Sequence, residues 1–160
     1  MNIVYYDIHP APKKEKNLLC ASAVPLNALL RVADVVTLHL RADDTTKDII
    51  GAREFAQMKH GAILINTARA TLVDQDALLA SLSSGHLSGV GLDVFSSEPP
   101  RPDDPLFSFP RVVATPHSAG STRDAYEQVL RNCVSNIRRA LSGEDIQWSA
   151  NGIVRRIMKI

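Results

Sequence analysis

The chain has 160 residues, of which 45% are hydrophobic and 22% charged, and its formal net charge is +1. These are the proportions of an ordinary globular protein with one core, too short for two comfortable domains. A charge so close to balance gives no footing for nucleic acid, an anionic membrane or an acidic partner.

The opening residues MNIVYYD meet an acid after a few apolar side chains, so they read as neither a leader nor an anchor. Nothing later approaches the roughly 20 apolar residues of a membrane span. Residues 2–6 (NIVYY) read as a strand closed by Asp7 and broken by His9, Pro10 and Pro12. Lys13, Lys14 and Lys16 belong to a solvated loop. Cys20 and Cys133 stand in no CxxC or metal-ligand spacing, which predicts no metal site and two reduced, buried thiols in a cytoplasmic protein.

Pro25 opens a helical pattern with Leu26, Leu29, Leu30 and Ala33 on one face. Asp34 leads into a strand at 35–40 (VVTLHL), and a polar loop follows at 41–47. A helical piece at 52–58 is closed by Gly61 as C-cap. Residues 62–65 (AILI) form a short branched apolar run, the mark of a strand buried on both faces. The chemistry then changes abruptly to Asn66, Thr67 and Arg69.

Asp74 is placed to cap the next helix, with Asp76 in its first turn and Ala77, Leu78, Leu79 and Leu82 inward, and Gly85 ends it. Residues 87–94 (LSGVGLDV) read as a strand finishing near Asp93. A Pro-rich loop at 95–110 precedes a short strand at 112–114 and then Thr115-Pro116-His117. Ser121 and Asp124 suggest a capping box, and the helix behind them carries Ala125, Val129, Cys133, Ile137 and Leu141 at every fourth position until Gly143. Strands alternating with helices predict an α/β fold with a doubly wound parallel sheet.

Ligands of such sheets bind outside the carboxyl ends of the strands. Arg69, Glu98 and His117 each follow an apparent strand, so neighbouring parallel strands would bring all three to one crevice. Arg offers a rigid charged fork for a carboxylate. A carboxylate on one imidazole nitrogen fixes the tautomer and leaves the other nitrogen for acid–base work. The bland readings are a loop-capping Arg and a structural His. His39, in its strand, reads as a packing or hydrogen-bonded residue, and His9, His60 and His86 as turn residues.

In this order, ILINTARATLVDQDAL, GVGLDVFSSEPP and VVATPHSAGST resemble the signatures of the D-isomer-specific 2-hydroxyacid dehydrogenase family, of the phosphoglycerate dehydrogenase and glyoxylate/hydroxypyruvate reductase type. VPLNALLRVADVVTLHL and TTKDIIGAREFAQMKHGA fit the same family. The resemblance implies a partial Rossmann-like NAD-binding domain over residues 1–151, a tail at 152–160, and no substrate domain. It implies hydride transfer between NAD(H) and a small 2-hydroxy or 2-keto acid. Arg69 would grip the substrate, His117 would be the acid–base, and Glu98 would orient it. Asp7, Thr67, Ala68, Arg69, Asp93, His117 and Gly120 would meet the cofactor. A carboxylate at Asp7 would repel a 2′-phosphate, which favours NAD over NADP.

The chain also departs from the family. Arg41 stands where the family has Pro, and Asp43 where it often has Thr, on what would be the adenine side. Ala70 replaces a Gly, which would cost roughly 1 kcal/mol if that backbone needed a positive φ. The family's first strand and GxGxxG loop are expected just upstream of Asn2. That strand would lie centrally, between the strand at 2–6 and the strand at 62–65, and its absence predicts self-association or a partner chain that covers the gap. A fold alone does not imply catalysis. A non-catalytic NAD-binding scaffold and an inactive truncated product are therefore the alternatives.

Overall fold

The computed structural model describes residues 1–9 and 20–147. The chain divides into two compact units, Met1–His117 and Ser118–Ile160. In the first unit the strands are β1 (Ile3–Tyr5), β2 (Ala21–Ala23), β3 (Val35–Leu38), β4 (Ala62–Asn66), β5 (Leu87–Leu92) and β6 (Val112–Ala114). Its helices are α1 (Leu26–Val32), α2 (Ala52–Gln57) and α3 (Gln75–Ser83), with 3₁₀ turns at Ala70–Leu72 and Pro105–Ser108. The second unit carries α4 (Arg123–Leu141). Every strand pairing is parallel, and the class is α/β with a Rossmann-like arrangement, as expected.

The strands form two sheets. One has the order β1-β2, the other β3-β4-β5-β6. In the larger sheet Leu38 pairs with Asn66, Asn66 with Leu92, and Leu92 with Ala114, so the carboxyl ends of four strands stand level. Strand β4 alternates buried Ala62, Leu64 and Asn66 with less buried Ile63 and Ile65. The core gathers on this sheet, where Val36, Leu38, Leu64, Leu87, Val90 and Leu92 meet Leu30, Phe55 and Leu82 of the helices.

Local chemistry explains most boundaries. Pro25, with φ −59°, precedes the first turn of α1, and no N–H is lost where none would have bonded. Asp74 caps α3 by accepting hydrogen bonds from the Asp76 and Ala77 amides at 3.0 and 3.1 Å. Gly85, at φ +73°, then turns the chain into β5.

Several expectations are corrected. β4 is paired on both sides, with β3 and β5, so the gap expected beside the strand at 62–65 does not border it; among the described residues the outer strands are β1, β2, β3 and β6. Strand β2 (ASA) was not foreseen, because Ala and Ser carry no β-branched or aromatic signal. Met58 is the C-cap of α2, and Gly61 lies beyond it at φ +83°. Thr122, not Ser121, caps α4, accepting from the Ala125 amide at 3.2 Å. Cys20 and Cys133 are exposed rather than buried. On α4, Val129, Ile137 and Leu141 are exposed too. The loop with Lys13, Lys14 and Lys16 and the tail at 152–160 lie outside the described residues. No helix among the described residues is long and apolar enough to cross a membrane.

Candidate active site

Asn66 ends β4 and is the pivot of the loop that follows. It is 1% exposed, and its side chain accepts from the Ala68 amide at 3.0 Å while donating to the Arg69 carbonyl at 2.9 Å. This Asx-type turn supplies the backbone partners that a buried strand end would otherwise lack. It fixes Thr67, Ala68 and Arg69 at the mouth of the sheet. Arg69 is exposed, in extended conformation (φ −147°, ψ 143°), and one guanidinium nitrogen donates to the Ala68 carbonyl at 2.7 Å. Ala70 begins a 3₁₀ turn and is not among the residues of positive φ, so the expected strain from its missing Gly does not arise.

At the end of β5, Asp93 is 2% exposed and accepts a hydrogen bond from the Thr115 hydroxyl beyond β6. Glu98 lies in the loop that follows. One of its oxygens accepts from the Phe95 amide at 3.1 Å, and the other meets His117 Nδ1 at 2.7 Å. Because an ionised carboxylate only accepts, Nδ1 carries the proton of this bond, and Nε2 is the ring nitrogen that Glu98 does not engage. The Glu98 carboxyl is held below its usual range. The His117 hydrogen bond is the main cause, followed by the Phe95 amide, with the charges of His117 and Arg69 adding smaller effects in the same direction. The backbone of His117 itself is left-handed, at φ +51°. Such a conformation costs a non-glycine residue about 1–3 kcal/mol and persists where the surroundings over-determine it.

Glu98 and His117 are therefore in direct contact, and Arg69 is close enough for its charge to act on Glu98. Asp93 is linked to this group through Thr115, whose hydroxyl donates to Asp93 and whose carbonyl accepts from the His117 amide at 3.0 Å. Asp7 follows β1 on the other sheet and accepts from the His9 amide at 2.7 Å. Gly120 falls in the second unit, where a side chain would meet nothing within 4 Å. Among the described residues no cluster of His, Cys, Asp and Glu suits a metal ion.

A recess of about 540 Å³ opens at the carboxyl ends of β3 and β4, lined by His39, Leu40, Arg41, Ala42, Thr67, Ala68, Arg69 and Thr71. His39 is exposed there, with Nε2 3.0 Å from the Thr37 hydroxyl, so the hydrogen-bonded reading fits it better than the packing one. Sequence reasoning missed Asn66, Thr115 and the Phe95 amide. Only Asn66 had a usable signal, an Asn closing an apolar strand two residues before a small residue.

Residues 1–119 match the family described as the D-isomer specific 2-hydroxyacid dehydrogenase NAD binding domain. A glyoxylate reductase from Korarchaeum cryptofilum is 39% identical over 144 residues, covering 90% of this chain and 43% of the relative. The D-3-phosphoglycerate dehydrogenase of Escherichia coli is 39% identical over 159 residues, covering 95% of this chain and 35% of that one. The holo form of Rhodotorula graminis D-mandelate dehydrogenase superposes with a TM-score of 0.88 at 35% identity, over 97% of this chain and 45% of that structure. This chain thus spans less than half the length of each. With the match extending from the first strand through the Glu98–His117 pair, the chain belongs to the D-isomer specific 2-hydroxyacid dehydrogenase family, as part or all of its NAD-binding domain.

Proposed function

We propose that this chain supplies the cofactor-binding and acid–base half of a dehydrogenase that interconverts a 2-hydroxy acid and a 2-keto acid. The observation that carries the reading is the 2.7 Å contact between His117 Nδ1 and Glu98 Oε2 at the carboxyl ends of β5 and β6. NAD, when bound, accepts or supplies the hydride at the substrate's C2. Its fit rests on the recess beside Thr67 and Ala68, at the strand ends where Rossmann sheets hold dinucleotides. Asp7 and Asp93 would hold its ribose and carboxamide, with Gly120 as a further cofactor contact.

In the reducing direction a protonated His117 Nε2 delivers its proton to the keto oxygen as that oxygen becomes a hydroxyl. In the oxidising direction the Nε2 lone pair takes the hydroxyl proton. Glu98 keeps the ring in the productive tautomer and stabilises its positive charge, the role a carboxylate plays behind many catalytic histidines. Arg69 offers its planar fork to the substrate carboxylate, fixing which face of C2 is presented.

The free edges of β1 and β3 belong to the same reading. Unpaired strand edges recruit further strands, so self-association or a partner strand is expected there, and two cysteines outside any CxxC or metal-ligand spacing accord with a cytoplasmic setting. The test is NADH oxidation by the purified chain with glyoxylate and with hydroxypyruvate, alongside calorimetric NADH binding and sedimentation. Turnover supports the proposal. Binding without turnover favours the non-catalytic scaffold, and the absence of both overturns these two readings in favour of an inactive truncated product.

A further inference from the structure

We propose that Thr115 is a positioning residue for His117: its hydroxyl, anchored on the buried carboxyl group of Asp93, holds the turn that sets the imidazole against Glu98. What His117 does there rests on the dehydrogenase reading, but the positioning itself does not. Leu92 and Ala114 are register partners at the ends of β5 and β6, so Asp93 and Thr115 stand side by side just beyond them. The amide, carbonyl and hydroxyl of Thr115 are all engaged. Its amide donates to the Leu92 carbonyl at 2.9 Å, its carbonyl accepts from the His117 amide at 3.0 Å, and its hydroxyl donates to Asp93 Oδ1. Asp93 is itself well held, 2% exposed and with its amide donating to the Asn66 carbonyl at 3.0 Å. The Thr115 hydroxyl thus ties the loop after β6 to the interior of the sheet.

Packing offers little alternative hold. Among the described residues β6 is the last strand of its sheet, with β5 as its one neighbour, and residues 113–117 are all exposed. Hydrogen bonds and backbone geometry therefore fix the segment. Pro116 narrows the choice, since a residue before proline is kept extended and proline fixes its own φ. The β-branched Thr115 suits an extended backbone, and its restricted χ1 aims the hydroxyl. His117 follows in the left-handed region at φ +51°, a conformation that persists only where neighbouring groups over-determine it. Two anchors hold this residue: Glu98 acts on the ring, at 2.7 Å from Nδ1, and Thr115 acts on the backbone. Loss of the hydroxyl frees the turn, and the ring then leaves Glu98 for part of the time.

The test compares the 160-residue chain with Thr115→Val, which keeps the branched shape and loses the donor, and with Thr115→Ser, which keeps the donor. Two readouts need neither NADH nor substrate: nitrogen NMR of the His117 ring at a pH where imidazole is neutral, and hydrogen exchange of the His117 amide. The wild type is expected to show the Nδ1–H tautomer and an amide that exchanges at least about tenfold more slowly than an unstructured one. Thr115→Val should show mixed tautomers and lose that protection while the amides of β4 keep theirs, and Thr115→Ser should restore both signals. A wild-type ring and amide in Thr115→Val overturn the inference, and an unprotected His117 amide in the wild type does so without any variant. A loss of protection shared equally by β4, up to an unfolded chain, marks a general structural role and overturns it as well. Where the chain turns over NADH with glyoxylate, Thr115→Val should lower kcat by about tenfold, roughly one hydrogen bond, and leave the KM for NADH within about twofold. A raised KM with kcat unchanged would assign Thr115 to the cofactor through Asp93 and end its role toward His117. Mixed tautomers in Thr115→Val, in a chain that never turns over NADH, would sustain this inference while sinking the dehydrogenase reading. NADH turnover with a ring indifferent to Thr115→Val would do the reverse.

Discussion

The two sheets of the Met1–His117 unit are built to different standards. The β3–β6 sheet contributes Val36, Leu38, Ala62, Leu64, Leu87, Val90 and Leu92 to the core, each less than a tenth exposed. The β1–β2 sheet contributes none of the buried residues, and Ile3 in it remains 37% exposed. Two-stranded sheets are marginal on their own. The hydrogen-bonded His117–Glu98 pair thus stands on the well-packed sheet, and Asp7 on the thin one. The physical consequence is a division of labour. On the proposed reading, the His117–Glu98 geometry is set in advance, whereas a grip by Asp7 on the cofactor would require ordering a segment with little core beneath it, and that ordering would subtract from affinity.

The largest expected effect lies on the rigid side. His117→Ala should lower turnover with NADH and glyoxylate by roughly 10²–10⁴-fold, the usual worth of a positioned general acid–base. Asp7→Ala should leave turnover at saturating NADH nearly unchanged and raise the KM for NADH, by about tenfold for one lost hydrogen bond to a charged group. The comparison breaks if Asp7→Ala reduces kcat as strongly as His117→Ala does, because the two sheets would then share one catalytic duty.

Stability separates the sheets next. Leu64 is completely buried in β4, and Leu64→Ala should cost about 2–5 kcal/mol. Val4, half-buried in β1, should cost about 1 kcal/mol or less as Val4→Ala. Denaturant melts of the two variants measure this directly. Hydrogen exchange sharpens it, since amides of β1 and β2 should open well below the free energy that opens β4 and β5. Equal protection in both sheets would show that the small sheet shares the larger one's cooperativity.

How much of this was legible in the sequence follows the same division. Strands β3 to β6 and helix α3 announce themselves through branched apolar runs, an Asp cap and a Gly stop, because burial and capping leave residue-level marks. Strand β2 leaves none, since Ala-Ser-Ala is held by pairing with β1 and not by its own side chains. The placement of β3 beside β4 was likewise invisible locally, because strand order is a property of the whole sheet. In the site, Arg69, Glu98 and His117 are readable from their positions after strands and from the family motifs. Asn66 is legible only in part: an Asn closing an apolar strand signals a turn, but not that it bonds the loop from a buried position. The exposure of Cys133, Val129 and Ile137 ran against a pattern that usually marks a covered face. An apolar stripe encodes the need for a partner surface, not its presence.

The smallest effect concerns the acid limb of the His117–Glu98 pair. Glu98 is held below the ordinary glutamate pKa chiefly by the hydrogen bond from His117. A carboxyl whose folded pKa is depressed contributes stability that is fully present above its unfolded value, about 4.3, and is lost as pH falls through the folded value. The contribution should therefore persist below the pH at which an unfolded glutamate protonates, and be lost only as pH falls further, through the depressed folded value. Both side chains are well exposed, 45% for His117 and 39% for Glu98, so salt should screen the charge part of the interaction. Glu98→Gln removes the titrating group and should flatten this part of the acid-unfolding curve while leaving the curve above pH 5 nearly parallel to the wild type. Nitrogen NMR of the His117 ring, taken at a pH where imidazole is neutral, reads the tautomer directly, and the variant should show a mixed tautomer where the wild type shows Nδ1–H. If the two acid-unfolding curves superimpose and the ring shows one tautomer in both proteins, the carboxylate is not what orients the imidazole. The backbone of His117, already constrained at φ +51°, would then have to fix the ring by itself.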